Sequence, residues 1–135
     1  MQFMEQNAVY IFIALLISWM LWQRLLAPML SGVKSLSASG YFAMRDEPHT
    51  LVDVRSAGEW AGAHAPDAVH IPLGEINTRK DEIPDHKPVV VICASGNRSA
   101  MAATALAKAG LKPVYNFSGG MGAWQSAGLP LKTGR

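Results

Sequence analysis

Four consecutive β-branched residues, Val89-Val90-Val91-Ile92, constrain this chain more than any other stretch. A strand that is apolar at every position has to be covered on both faces, which is the pattern of a strand inside a parallel sheet. Pro88 bounds the run on one side, and Cys93-Ala94-Ser95-Gly96-Asn97-Arg98-Ser99 follows on the other. Next comes Ala100 to Ala109, rich in Ala and Leu, with Lys108 in its last turn and Gly110 beyond it. That composition predicts a helix with a glycine C-cap. Further strands are expected at Thr50 to Val54, Ala68 to Ile71 and Pro113 to Phe117. Helical segments are expected at 39–44, 56–60, 74–83 and 120–127. Strands alternating with helices imply an α/β fold, an open parallel sheet with helices on both faces. Ligands bind such sheets beyond the carboxyl ends of the strands, which is where Cys93 lies.

The chemistry expected at that point follows from the loop. A lone cysteine that ends an apolar strand can pack as a small hydrophobe. Ser95, Gly96, Asn97, Arg98 and Ser99, however, make a poor core and a good anion cradle. Backbone N–H groups of a tight loop feeding a helix N-terminus converge on an anion, helped by the helix dipole. A thiol held there ionises more readily than a free one. Cys93 is the candidate nucleophile, and Ala94, Ser95, Gly96, Asn97, Arg98 and Ser99 are the candidate binding residues. Gly96 permits positive φ or close backbone approach. Arg98 offers a planar fork of donors suited to a sulfonate or to the outer sulfur of a persulfide. Ser99 either donates its hydroxyl to the anion or caps the helix. Asp53 and Arg55 end their strand on the same side of the sheet as Cys93. Asp53 reads as half of a structural ion pair, and Arg55 as its partner or as a site residue. His64 is expected to make a structural hydrogen bond and Trp124 to sit in the core. The four histidines show no metal-ligand spacing, and neither a metal nor an organic cofactor is expected.

Four motifs in order give the chain a family resemblance. They are the loop CASGNRS; Leu51-Val52-Asp53-Val54-Arg55 followed by Glu59-Trp60; Ala63-His64-Ala65-Pro66-Asp67-Ala68 followed by Ile71-Pro72-Leu73; and Gly119-Gly120-Met121-Gly122-Ala123-Trp124. From about Ser39 onward the chain resembles the rhodanese-like sulfurtransferases. The third motif departs from the family's Gly-His-Ile-Pro-Gly-Ala, with Ala63, Ala65 and Asp67 in place of Gly, Ile and Gly. Those positions shape a turn rather than the chemistry. The resemblance implies a rhodanese-like fold and a thiosulfate sulfurtransferase-like activity. A sulfane sulfur passes from a donor such as thiosulfate, through a Cys93 persulfide, to cyanide or a thiol. It also implies that Asp53 and Arg55 support the site. Two alternatives stand beside it, a non-catalytic membrane-tethered sulfur carrier or partner-binding domain, and a cysteine-dependent phosphatase. The family's phosphatase relatives place five residues between cysteine and arginine, whereas four intervene here, Ala94 to Asn97.

The N-terminal part is of another kind. No charged residue lies between Glu5 and Arg24, and Ala8 to Trp22 is apolar apart from Ser18. At 1.5 Å per residue such a helix roughly matches a bilayer's hydrocarbon thickness of about 30 Å. Trp19 and Trp22 suit an interfacial belt, and Arg24 can snorkel. The first seven residues lack the basic charge of a signal peptide. The segment is apolar all round rather than striped. The expected organisation is an anchor at 1–28 that meets the membrane through residues 8–26, a Ser- and Gly-containing linker at 29–38, and a rhodanese-like domain at 39–135. Arg24 and Lys34 follow the span and no Lys or Arg precedes it, so the domain is expected to face the cytoplasm on a single-pass anchor. A net charge of +2 gives no support for nucleic-acid binding. One cysteine in 135 residues excludes an intrachain disulfide framework. No protein partner is legible in the sequence.

Overall fold

The computed structural model describes residues 2–26 and 32–134. The chain divides into two compact units, Met1–Ser31 and Gly32–Arg135.

The first unit is helix α1 (Gln2–Leu21), which continues as a π-helical turn over Trp22–Leu26. Every side chain from Ala8 to Leu26 is exposed. The segment Glu5–Leu26, 22 residues, is long and apolar enough to cross a membrane. In length and composition it has the character of a membrane span or of a signal sequence.

The second unit is built on five parallel strands, β1 (Val33–Leu36), β2 (Thr50–Asp53), β3 (Val69–His70), β4 (Val89–Ile92) and β5 (Val114–Phe117). Their order across the sheet is β1-β5-β4-β2-β3, so β4 is central. Its register sets Thr50 beside Val89 and Asp53 beside Ile92 on one flank, and Val89 beside Val114 on the other. All four β4 residues are buried, as the apolar run requires. Successive side chains of a strand point to opposite faces. Val89, Val91 and Cys93 therefore pack with Ala102, Ala103 and Leu106, while Val90 and Ile92 pack with Tyr41, Phe117, Met121 and Trp124. Helices α4 (Ile76–Arg79) and α5 (Asn97–Lys108) supply the first cluster, and α2 (Ala38–Met44) and α6 (Gly120–Ser126) the second. The expected α/β architecture, a parallel sheet with helices on both faces, is what the chain forms.

One boundary needs correction. Residues 33–36, assigned above to the linker at 29–38, form β1, pairing in parallel from Val33–Val114 to Leu36–Phe117. Val-Lys-Ser-Leu carries no apolar run, because an edge strand needs burial only at its ends here, Val33 and Leu36 being partly buried and Lys34 and Ser35 exposed. A lysine on an edge strand also discourages pairing with another chain. Residues 29–31 of the linker lie outside the described residues.

Candidate active site

The site is assembled where β4 ends. Cys93 leaves the sheet with no exposed surface. Gly96 stands at the N-cap of α5 with φ +105°, a left-handed conformation that favours glycine. That turn brings the Gly96 N–H to 3.0 Å from Cys93 Sγ as a donor. The loop is shorter than expected, since Asn97, Arg98 and Ser99 already form the first turn of α5. Ser99 is therefore not the cap, which settles one of its two readings. It is fully buried, and its hydroxyl lies 3.3 Å from Cys93 Sγ, accepting from the thiol. Ala94, Ser95 and Asn97 are exposed at the rim.

Burial pushes the Cys93 thiol up, but hydrogen bonding from the Ser99 side chain and from the N–H groups of Ser99, Gly96 and Ser95 outweighs it. The net direction is below the ordinary thiol value. This is the expected effect of donors at a helix N-terminus on a thiolate.

Two residues given no role from sequence complete the cradle. Asn116, on β5 beside Val91, donates from Nδ2 to the Gly96 carbonyl at 3.2 Å and accepts the Ser99 hydroxyl at Oδ1 at 2.5 Å. A polar residue inside the strand Val-Tyr-Asn-Phe next to the cysteine strand is the signal that marks it. Gly120, with φ +58°, packs against the loop from the other side, where a Cβ would overlap the carbonyl oxygens of Cys93 and Ala94. The Met121 N–H then donates to the Cys93 carbonyl at 2.9 Å. The Gly-Gly pair of the fourth motif is thus a seat for the cysteine loop.

Arg98 is partly exposed, but its guanidinium is engaged within the protein. Its Nη1 and Nη2 donate to Glu59 Oε1 and Oε2 at 2.7 and 2.9 Å. Glu59 belongs to α3 (Ala57–Gly62), where it forms a capping box with Ser56. Hydrogen bonds from Arg98 and Ser56 hold the Glu59 carboxyl down at about 2, and the carboxylate raises Arg98 above its ordinary value. Asp53 and Arg55 form a buried ion pair at 2.8 Å, with Arg55 also donating to the carbonyls of Glu59 and Ala63. Arg55 thereby ties the end of β2 to α3, and its guanidinium is committed to structure. His64 makes the expected structural bond, to the Trp60 carbonyl at 2.7 Å, and Trp60 stacks on both His64 and His70. Trp124 is in the core.

A strand-end thiol cradled by the backbone of a following helix can be compared with known proteins. The family model of the rhodanese-like domain matches residues 40–127. The chain belongs to the rhodanese-like family. A sulfurtransferase of Allochromatium vinosum is 42% identical over 81 residues, covering 60% of this chain and 76% of that one. A Bacillus subtilis protein provisionally named as a sulfur carrier, YrkF, is 44% identical over 79 residues, covering 58% of this chain and 43% of that one. The match thus spans less than half of that relative. Among solved structures, a rhodanese-related protein of Thermoplasma volcanium superposes with a TM-score of 0.68 at 29% identity, over 73% of this chain and 97% of its own. In this rhodanese-like chain the family match begins at residue 40, whereas the sheet already begins with β1 at Val33.

Proposed function

We propose that this rhodanese-like domain transfers sulfane sulfur through a persulfide on Cys93. The observation that carries the reading is a buried thiol that accepts the Gly96 N–H at 3.0 Å and faces the Ser99 hydroxyl at the N-terminus of α5, an arrangement that lowers its pKa. In the first half-reaction the Cys93 thiolate attacks the outer sulfur of a donor such as thiosulfate. A new S–S bond forms to Cys93, the donor's S–S bond breaks, and its electron pair leaves with sulfite. The persulfide anion sits among the loop N–H groups, which are aimed at that charge before it forms. In the second half-reaction a thiolate or cyanide attacks the outer sulfur, and Cys93 departs as thiolate. The cycle is covalent and ping-pong.

The carrier reading shares the persulfide and differs in the second step, which then needs a protein acceptor; the resemblance to a protein named as a sulfur carrier supports it. The phosphatase reading has less support, because the Arg98 fork is bound to Glu59 and four residues rather than five separate it from Cys93. Intact mass measurement of the full chain after exposure to a sulfur donor tests the proposal. One added sulfur, removable by thiol and absent in Cys93→Ser, is the expected result, and turnover with cyanide separates enzyme from carrier. Sulfur transfer retained in Cys93→Ser overturns it.

We also propose that residues 8–26 anchor the protein in a membrane with the catalytic unit in the cytoplasm, on the strength of Arg24 and of Lys34, exposed on β1. A C-terminal alkaline phosphatase fusion, active only when exported, should be inactive. An active fusion reverses the orientation.

A further inference from the structure

Arg98 is the one charged side chain that the cysteine loop and first helical turn contribute, and Glu59 holds its fork. We propose that this clamp sets the donor class, so that the site takes sulfur from a hydropersulfide, R–S–SH, in preference to a dianionic donor such as thiosulfate. The inference rests on the sulfur-transfer reading and makes Glu59 the specificity-determining residue.

Glu59 is fixed independently of Arg98. Its Oε1 accepts from the Ser56 N–H at 3.1 Å and the Ser56 hydroxyl at 3.0 Å, while Ser56 Oγ accepts from the Glu59 N–H at 3.3 Å. A carboxylate already oriented by a capping box loses little freedom when it takes Arg98, so the pair is preorganised. Glu59 and Arg98 are each only about one-third exposed, at 36% and 37%.

Charge accounting around the sulfur then decides. The thiolate carries one negative charge, Arg98 and Glu59 cancel, and Asp53 and Arg55 cancel. What remains to attract a donor is the N-terminus of α5, worth about half a positive charge. That is enough for a persulfide anion, whose charge the site already carried as thiolate. It is too little to offset the repulsion between that thiolate and a dianion. With a hydropersulfide, Cys93 thiolate bonds to the outer sulfur and the R–S bond to that sulfur breaks. The electron pair leaves on the R–S sulfur, which takes the proton carried by the outer sulfur and departs as thiol. No charge enters or leaves the site.

The test compares Glu59→Gln with the native full chain, using thiosulfate and a low-molecular-weight alkyl hydropersulfide as donors. Gln keeps the capping box, since either Glu or Gln serves at that position. Across about 6 Å of water-like surroundings, one unit charge acting on a dianion amounts to about tenfold in rate, whereas an uncharged donor feels none of it. The expected result is that the ratio of kcat/KM for thiosulfate to that for hydropersulfide rises about tenfold, with the rise shrinking as salt is added. Glu59→Asp, which keeps the charge, should hold the ratio near the native value. A native protein that takes sulfur from either donor but whose ratio is unmoved in a folded Glu59→Gln overturns the role of Glu59 alone. A native protein that takes sulfur from neither overturns the transfer reading and this inference with it.

Discussion

Replacing Ser99 by alanine should raise the pH at which Cys93 becomes nucleophilic by about one to two units. Ser99 has a single hydroxyl proton, and two acceptors lie within its reach. While Cys93 is a thiol, Sγ donates to Ser99 Oγ at 3.3 Å and the hydroxyl donates on to Asn116 Oδ1 at 2.5 Å. When Cys93 ionises, that proton turns to the sulfur, so the hydroxyl stabilises the charged form. A hydrogen bond to a charged group is worth about 1.5–3 kcal/mol, and one pKa unit corresponds to about 1.4 kcal/mol. The quotient is the predicted shift. The assay is the pH profile of iodoacetamide alkylation, which reports one site because Cys93 is the only cysteine. Since Cys93 has no exposed surface, the absolute rate also contains loop opening, and the inflection is the quantity to read. Ser99→Ala with an unmoved inflection and native circular dichroism would refute the argument and leave the backbone N–H groups as the sole cause of the lowered pKa.

Gly120→Ala should destabilise the fold by about 2–5 kcal/mol, because a left-handed residue with a Cβ costs about 1–2 and overpacking against the Cys93 and Ala94 carbonyls about 1–3. Gly122→Ala, in open space on the same helix, should be neutral or stabilising by up to about 1 kcal/mol; equal melting temperatures for the two variants would contradict the seating role of Gly120. Stability should also rise with pH in the range below the unfolded thiol's pKa of about 8.5. The folded pKa is depressed, so the unfolded chain binds more protons there and the contribution is lost as pH falls through the folded value. Thermal unfolding of the full chain in mild detergent should show this rise, Cys93→Ser should abolish it, and identical pH profiles for the two proteins would show that the thiol is not ionised in the folded state.

The parts of the fold that could be read from sequence are those set by local chemistry. The run Val89–Ile92 demanded a doubly covered strand, and the Ala-rich segment after it demanded a helix. The sheet's edge was not readable in the same way. Val33–Leu36 owes its strand to pairing with Val114–Phe117, some eighty residues away, and its own pattern, with Lys34 and Ser35 in the middle, fits a loop as well. The helix start was misplaced for a related reason. Asn97 and Ser99 favour loops and caps on composition, yet Gly96 turns left-handed early enough to make Asn97, Arg98 and Ser99 the first helical turn. That early start sets Ser99 at the third helical position, with its hydroxyl against the sulfur.

The site residues divide along the same line. Cys93 and its loop are contiguous, so their role can be argued from spacing. Asn116, Glu59 and Gly120 come from three other elements, and their roles exist only once the sheet order places β5 beside β4 and the capping box sets Glu59 across from Arg98. Sequence chemistry reads Arg98 as a fork for a substrate anion. The anion it holds, however, is a carboxylate of the protein itself. The same guanidinium that would attract an oxyanion donor instead ties α5 to α3. On the proposed transfer reaction, its charge then acts chiefly through how much of it Glu59 leaves uncompensated, which makes substitution at Glu59 a more direct probe of donor choice than substitution at Arg98.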